Sequence, residues 1–193
     1  MQRDLEIVEE AKQPMSMNPK KFALWLFLVS VVMVFASLTS AYYVRRAEGN
    51  WLLFDLPSAF WVTSVVIALS SISMQTAYYA GRKDNMGLLR LSLFITFILG
   101  IVFLIGQFLS WVELVGMKVF WVGNPSGSFL YVLSGLHAIH LVSGIIFLLF
   151  VLISSLRFKV HSKNMLALEM CTTYWHFLGG LWIYLFVFLI LYR

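Results

Sequence analysis

Five apolar stretches, at residues 22 to 44, 58 to 80, 88 to 112, 128 to 153 and 170 to 192, alternate with short polar connections along the chain. At ~1.5 Å of rise per residue, each is long enough to cross ~30 Å of hydrocarbon as a tilted helix. The runs are apolar throughout and do not alternate, which excludes a membrane barrel built from strands of about ten residues. The pattern predicts an all-α polytopic membrane protein: a five-helix transmembrane domain over residues 22–193 behind a tail at 1–21. That tail mixes Asp4, Glu6, Glu9 and Glu10 with Arg3, Lys12, Lys20 and Lys21 and is broken by Pro14 and Pro19. It suits a mobile segment or a short surface helix and lacks the basic opening and short apolar core of a cleavable signal.

Composition strengthens the reading. The chain is 61% hydrophobic and 12% charged, with a mean hydropathy of +0.86, far from the roughly half-apolar, quarter-charged soluble norm. In a soluble domain the net charge of +5 would suggest nucleic acid; here it counts by location, and no nucleic-acid partner is expected. Arg3, Lys12, Lys20, Lys21, Arg82, Lys83, Arg90, Arg157, Lys159 and Lys163 fall on one side, against Arg45, Arg46, Lys118 and Arg193 on the other. The positive-inside rule then predicts a cytoplasmic N-terminus and a C-terminus on the opposite side. Lys21, Arg157, Lys159 and Lys163 are placed to touch anionic phospholipid headgroups, at about 1 kcal/mol each.

The acidic residues restrict function. All 9 lie in tails, connections or at a span edge, Glu169 among the last. Proton and ion carriers keep carboxylates at depth as relays or counter-ions, so a transporter or pump acting alone is not expected. What sits at depth is Gln75, Gln107, His137, His140, His176 and scattered Ser and Thr. His137 and His140, three apart, share a helix face, and His140 and His176 fall at comparable depth, able to meet if the last two helices are neighbours. Three uses are open: hydrogen bonds that fix helix register, axial ligation of a haem by His140 and His176, or a proton relay. Two histidines with no adjacent carboxylate or thiolate do not complete a tetrahedral metal set, and Cys171 is more than a turn from His176. Close helix contact is expected at Ala36, Ser40, Ser64, Ala68, Gly100, Gly135, Gly144, Gly179 and Gly180.

The run Gly127-Ser128-Phe129, then Ser134-Gly135-Leu136-His137-Ala138-Ile139-His140 with Gly144, followed by Glu169 and Tyr174-Trp175-His176-Phe177 with Trp182, resembles subunit III of the haem-copper terminal oxidases, the cytochrome c oxidase type. Leu99-Gly100 with Gln107 and Trp111, and Ser30 to Tyr43, are similar to the same family, so the resemblance spans nearly all of residues 20 to 192. Larger members have seven helices; this chain resembles the short bacterial form lacking the first two. The resemblance implies an accessory, non-catalytic subunit of a bacterial inner membrane, without haem or copper of its own, those cofactors being held by partner subunits. It implies direct packing on oxidase subunit I, contact with other oxidase subunits, bound phospholipid, and support of sustained proton uptake during oxygen reduction, with a place in a larger respiratory supercomplex left open. Gln107, His137, His140, Glu169, Trp175 and His176 are then structural polar positions, with no catalytic or metal-binding residue in the chain. A relative serving a quinol oxidase or a nitric oxide reductase fits the same motifs, and a bis-His haem subunit is the reading from another class. Val31, Ser110 and Gly179 stand where many members carry acidic residues, so the resemblance does not carry a proton-linked role of those carboxylates to this chain.

Overall fold

The computed structural model describes residues 18–157 and 165–192. They form α1 (Pro19–Ala47), α2 (Ala59–Arg82), α3 (Met86–Gly116), α4 (Pro125–Leu156) and α5 (Leu166–Tyr192), with no strand among the described residues. All five are long and apolar enough to cross a membrane. The tail at 1–17 and the connection holding Lys159 and Lys163 lie outside the described residues.

Most helices overrun the apolar stretches because their ends are capped by polar residues. Asn18, Asn85 and Asn124 are N-caps whose Oδ1 atoms accept from Lys20 N (3.1 Å), Leu88 N (3.2 Å) and Ser126 N (3.0 Å). Pro19 and Pro125 follow two of them, at a position where the missing N–H costs nothing. At the other end of α2, Asp84 takes a left-handed φ of 53°. Its N–H reaches Gly81 O and that of Asn85 reaches Ala80 O, closing a Schellman turn that launches α3 directly antiparallel. Lys118, at φ 61°, ends α3 in the same way.

Helices α2, α3, α4 and α5 pack as a closed ring, each touching its two ring neighbours, and α1 lies outside it against α4 and α5. The sequence accounts for the difference. In α5, Cys171, Thr172, Tyr174, Trp175, Leu178, Gly179, Leu181 and Trp182 are buried on several faces, as a helix with neighbours on three sides requires. In α1 the buried residues are Leu28, Val31, Phe35, Thr39 and Tyr42, a single stripe with three- and four-residue steps, and the remaining faces are open. At one end of the bundle Lys83, Asp84 and Asn85 alone join α2 to α3. At the other end the α1–α2 loop is held to the start of α4, where Asn124 Oδ1 accepts from Leu52 N (3.3 Å) and Ser126 Oγ donates to Leu52 O (2.9 Å).

Glycine contacts divide the expected close-packing positions. A methyl at Gly100 would lie 2.8 Å from the Trp175 ring tip, and one at Gly144 would lie 2.7 Å from Leu178 Cδ1. Gly179 faces Ser71 Oγ at 3.1 Å. Gly180 has nothing within 4 Å, and Ala36, Ser40 and Ala68 are exposed, so these four are not contact positions. Neighbouring residues in a helix point ~100° apart, and only one of Gly179 and Gly180 can face the ring.

Candidate functional site

The polar interior of the ring is built on tryptophan and serine. Trp175 and Trp182 lie two turns apart on α5, and Ser70 and Ser64 are buried on α2. Trp175 Nε1 donates to Ser70 Oγ (3.1 Å) and Trp182 Nε1 to Ser64 Oγ (3.0 Å). Each serine passes its own proton back into α2, Ser70 to Ile67 O (2.8 Å) and Ser64 to Phe60 O (2.7 Å). Trp111 repeats the device between α3 and α4, donating to Ser134 Oγ (3.0 Å), which donates to Leu130 O (2.7 Å). Each indole N–H and each serine hydroxyl thus finds a partner, which is what makes burial of these groups in an apolar surround tolerable. Such interhelical bonds contribute about 0.6 kcal/mol on average in a membrane, and the buried rings contribute more through packing. Trp182 stands edge-on to Phe103 of α3 at 5.1 Å and to Phe60 of α2 at 5.5 Å, so one side chain of α5 touches two other ring helices.

The histidines are separated by the rotation of their helices. His137 is fully buried within the ring, with its centroid 5.3 Å from that of Trp182 and 5.9 Å from Phe103. His140, three residues on, leaves the ring for the α1 side, where Phe35 and Phe27 lie at 5.8 and 6.4 Å. Its Nδ1 bonds Leu136 O at 2.8 Å. His176 Nε2 is 3.0 Å from Gln75 Oε1 on α2. Although α4 and α5 are neighbours, the expected meeting of His140 and His176 does not occur. At the level of His140, Tyr174 of α5 hydrogen-bonds α4, through Ser143 Oγ (2.6 Å) and His140 O (3.2 Å), and His176 two residues later points ~200° away. Facing imidazoles for a bis-His haem are therefore not assembled. Among the described residues no three His, Cys, Asp or Glu side chains converge as metal ligands.

Gln107 is buried on α3 and donates to Thr63 Oγ1 on α2 at 3.4 Å. Glu169, at the first turn of α5, holds Lys21 of α1 at 2.6 Å, with both side chains about two-fifths and one-third exposed. Lys21 is therefore an ion-pair partner as well as a surface cation, a connection the sequence did not reveal. Arg157 is exposed just beyond α4. Val31 and Ser110 are buried, and Gly179 packs against α2; none of the three brings charge into the bundle. The described carboxylates, Glu48, Asp55, Asp84, Glu113 and Glu169, all sit at or beyond helix ends.

Two hollows follow α5 on its α1 side. One, of about 340 Å³, is lined by Lys21, Trp25, Gln75, Tyr78, Glu169 and Thr173. Further along the helix an apolar groove of about 480 Å³ is lined by Val32, Phe35, Ala36, Phe177, Gly180 and Tyr184. Sequence reasoning placed Gln75 at depth and Ser64 at a helix contact but missed their roles: Gln75 as the partner of His176, and Ser64, Ser70 and Ser134 as the acceptors of the tryptophans. The paired spacing of tryptophans on α5 and serines on α2 carries that signal only once the two helices are known to be adjacent.

Comparison with known proteins agrees with this architecture. A probable cytochrome c oxidase subunit 3 from Nocardia farcinica is 34% identical over 167 residues, covering 83% of this chain and 82% of that protein. The cytochrome bo(3) ubiquinol oxidase subunit 3 of Buchnera aphidicola is 27% identical, covering 90% of this chain and 94% of its own length. A probable quinol oxidase subunit 3 of Staphylococcus saprophyticus is 26% identical and covers 96% of this chain and 94% of itself. The model of the family described as cytochrome c oxidase subunit III matches residues 54–193, which takes in the whole four-helix ring. A five-helix membrane bundle carrying the Trp-braced ring and these sequence matches belongs to the cytochrome c oxidase subunit III family.

Proposed function

We propose that this chain is the accessory, non-catalytic subunit III of a respiratory haem-copper oxidase in a bacterial inner membrane, and that it acts by packing. Its N-terminus is cytoplasmic and its C-terminus periplasmic. It lies directly against oxidase subunit I, whose haems and copper reduce oxygen, and it keeps that subunit's proton entry region and lipid shell in working arrangement. The observation that carries the reading is a ring whose interior is braced by neutral indole, hydroxyl, amide and imidazole groups, with the described carboxylates kept at the helix ends. Such an interior is suited to hold shape.

Phospholipid is the second component. The polar hollow at Lys21 and the apolar groove at Gly180 are two separate hollows that follow one another along the α1–α5 seam, so a headgroup can sit in the first and an acyl chain in the second. Arg157 adds an exposed cation on the same side of the bundle, as Lys159 and Lys163 would from the neighbouring connection. The electron donor belongs to the partner subunits. Relatives named for both cytochrome c and quinol oxidases cover most of the chain, which keeps a quinol-oxidising complex as the second reading.

Purification of the tagged chain in mild detergent tests the assignment. A large haem- and copper-containing subunit is expected at one-to-one stoichiometry, with optical absorbance from that subunit only. A Soret band that stays with the isolated chain in stoichiometric amount would overturn the reading.

A further inference from the structure

One layer of the ring holds more buried polar atoms than protein partners for them. Gln107 is 1% exposed; its Nε2 donates to Thr63, and its Oε1 meets no protein donor. His137 is 0% exposed, and neither Nδ1 nor Nε2 has a protein partner. The contacts on either side place the two residues in one layer. Trp111 of α3 bonds Ser134 of α4, and Phe103 of α3 packs on His137. Gln107 lies four residues from each of these α3 aromatics, on the same helix face, and so stands opposite the Ser134 to His137 turn. Trp182, whose ring packs on His137, has its Nε1 engaged by Ser64. The aromatic rings flanking His137 offer at most a weak N–H···π contact.

Buried amide oxygens and imidazole nitrogens are paired in nearly all folded proteins, with protein or with ordered water. A charged ligand does not suit this layer, since among the described residues no cluster of acidic, thiol or imidazole ligands surrounds it. An apolar ligand would leave the same atoms unpaired. Water supplies two donors and two lone pairs in the smallest volume, and it joins groups that stand too far apart to bond directly.

We propose that this layer is an internal hydration site, in which an ordered water donates to Gln107 Oε1 on α3 and to the unprotonated ring nitrogen of His137 on α4. The water links α3 to α4 one turn from the Trp111–Ser134 bond, so this seam carries two consecutive polar ties. Phe60, Phe103 and Trp182, all fully buried, flank the layer, and the water is structural and slow to exchange.

The test uses the unaltered chain in its assembled oxidase, in a density map fine enough to show other buried waters. Density is expected within ~2.7–3.2 Å of both Gln107 Oε1 and one His137 nitrogen. A direct Gln107–His137 bond, or two groups with no density between them, overturns the proposal. A double-mutant cycle with Gln107→Leu and His137→Phe, read as unfolding rate in denaturing detergent, should show coupling of at least about threefold. Independent effects of the two substitutions would contradict the shared water. Since the map needs no variant, a substitution that blocks assembly leaves the proposal open to refutation.

Discussion

Within the ring, α5 sends Trp175 and Trp182 into buried serines of α2, whereas α1 is joined to the same helix by Lys21 at one end, Tyr42 at the other and Thr39 between them. The ring bonds are buried and neutral. The α1 bonds each run to a half-buried or exposed residue of α5: the Lys21–Glu169 ion pair, buried Thr39 Oγ1 beside exposed Tyr184 Oη at 3.1 Å, and buried Tyr42 Oη donating to O of half-buried Tyr192 at 2.9 Å. Aromatic edges complete the α1 seam, Phe27 against Tyr174 at 5.7 Å and Tyr42 against Phe188 at 5.1 Å. Both regions are helices of similar apolarity, yet one is locked from inside and the other clipped on from outside. Interior spokes make four helices depend on one another, while edge contacts leave a helix that can shift without opening the core. The family model begins after α1 and spans the ring, as expected if the ring is the common unit.

The largest break in this contrast should come from a spoke. Trp182→Ala removes a fully buried indole that touches Phe60, Phe103 and His137 and leaves Ser64 without its donor. A loss of about 3–5 kcal/mol is expected. Tyr184→Phe, which removes only the hydroxyl beside Thr39, should cost about 0.6 kcal/mol. Unfolding in denaturing detergent measures both; near-equal losses would erase the distinction between ring and α1.

A second pair compares two faces of α5 and its neighbours. Gly100→Ala drives a methyl against the Trp175 ring, with an expected cost of about 1–3 kcal/mol. Gly180→Ala adds its methyl to open space, and relief of glycine's helix cost should leave the chain unchanged or up to about 1 kcal/mol more stable. Thermal unfolding of the two variants side by side gives the sign of each change.

A small, salt-dependent effect is expected at the α1 clip. Glu169→Gln breaks the ion pair with Lys21, and because both groups are partly exposed the cost should be at most about 1 kcal/mol and shrink with added salt. Amide hydrogen exchange should quicken at the start of α1 and remain slow in α2 and α5. Acceleration throughout the ring would show that α1 is part of the core after all.

Much of this was legible in the sequence. Apolar length alone gave five helices, whereas Asn18-Pro19 and Asn124-Pro125, start signals that the apolar runs do not include, set two of the helix starts before those runs. Gln107 and His137 read as polar residues at depth, and both are buried. Partners did not follow, because they depend on how each helix is turned about its axis. His176 and Tyr174 are two residues apart and face different helices, and Gly179 and Gly180 are adjacent with only one in contact. The Lys21–Glu169 pair joins residues 148 apart and needed the α1–α5 seam to be known first.

Oxygen consumption by the assembled oxidase, followed over many turnovers with and without this chain, tests the supporting role most directly. The account predicts a nearly unchanged initial rate and an activity that decays sooner when the chain is missing. Immediate loss of oxygen reduction, with partner subunits assembled and fully loaded with haem and copper, would contradict it.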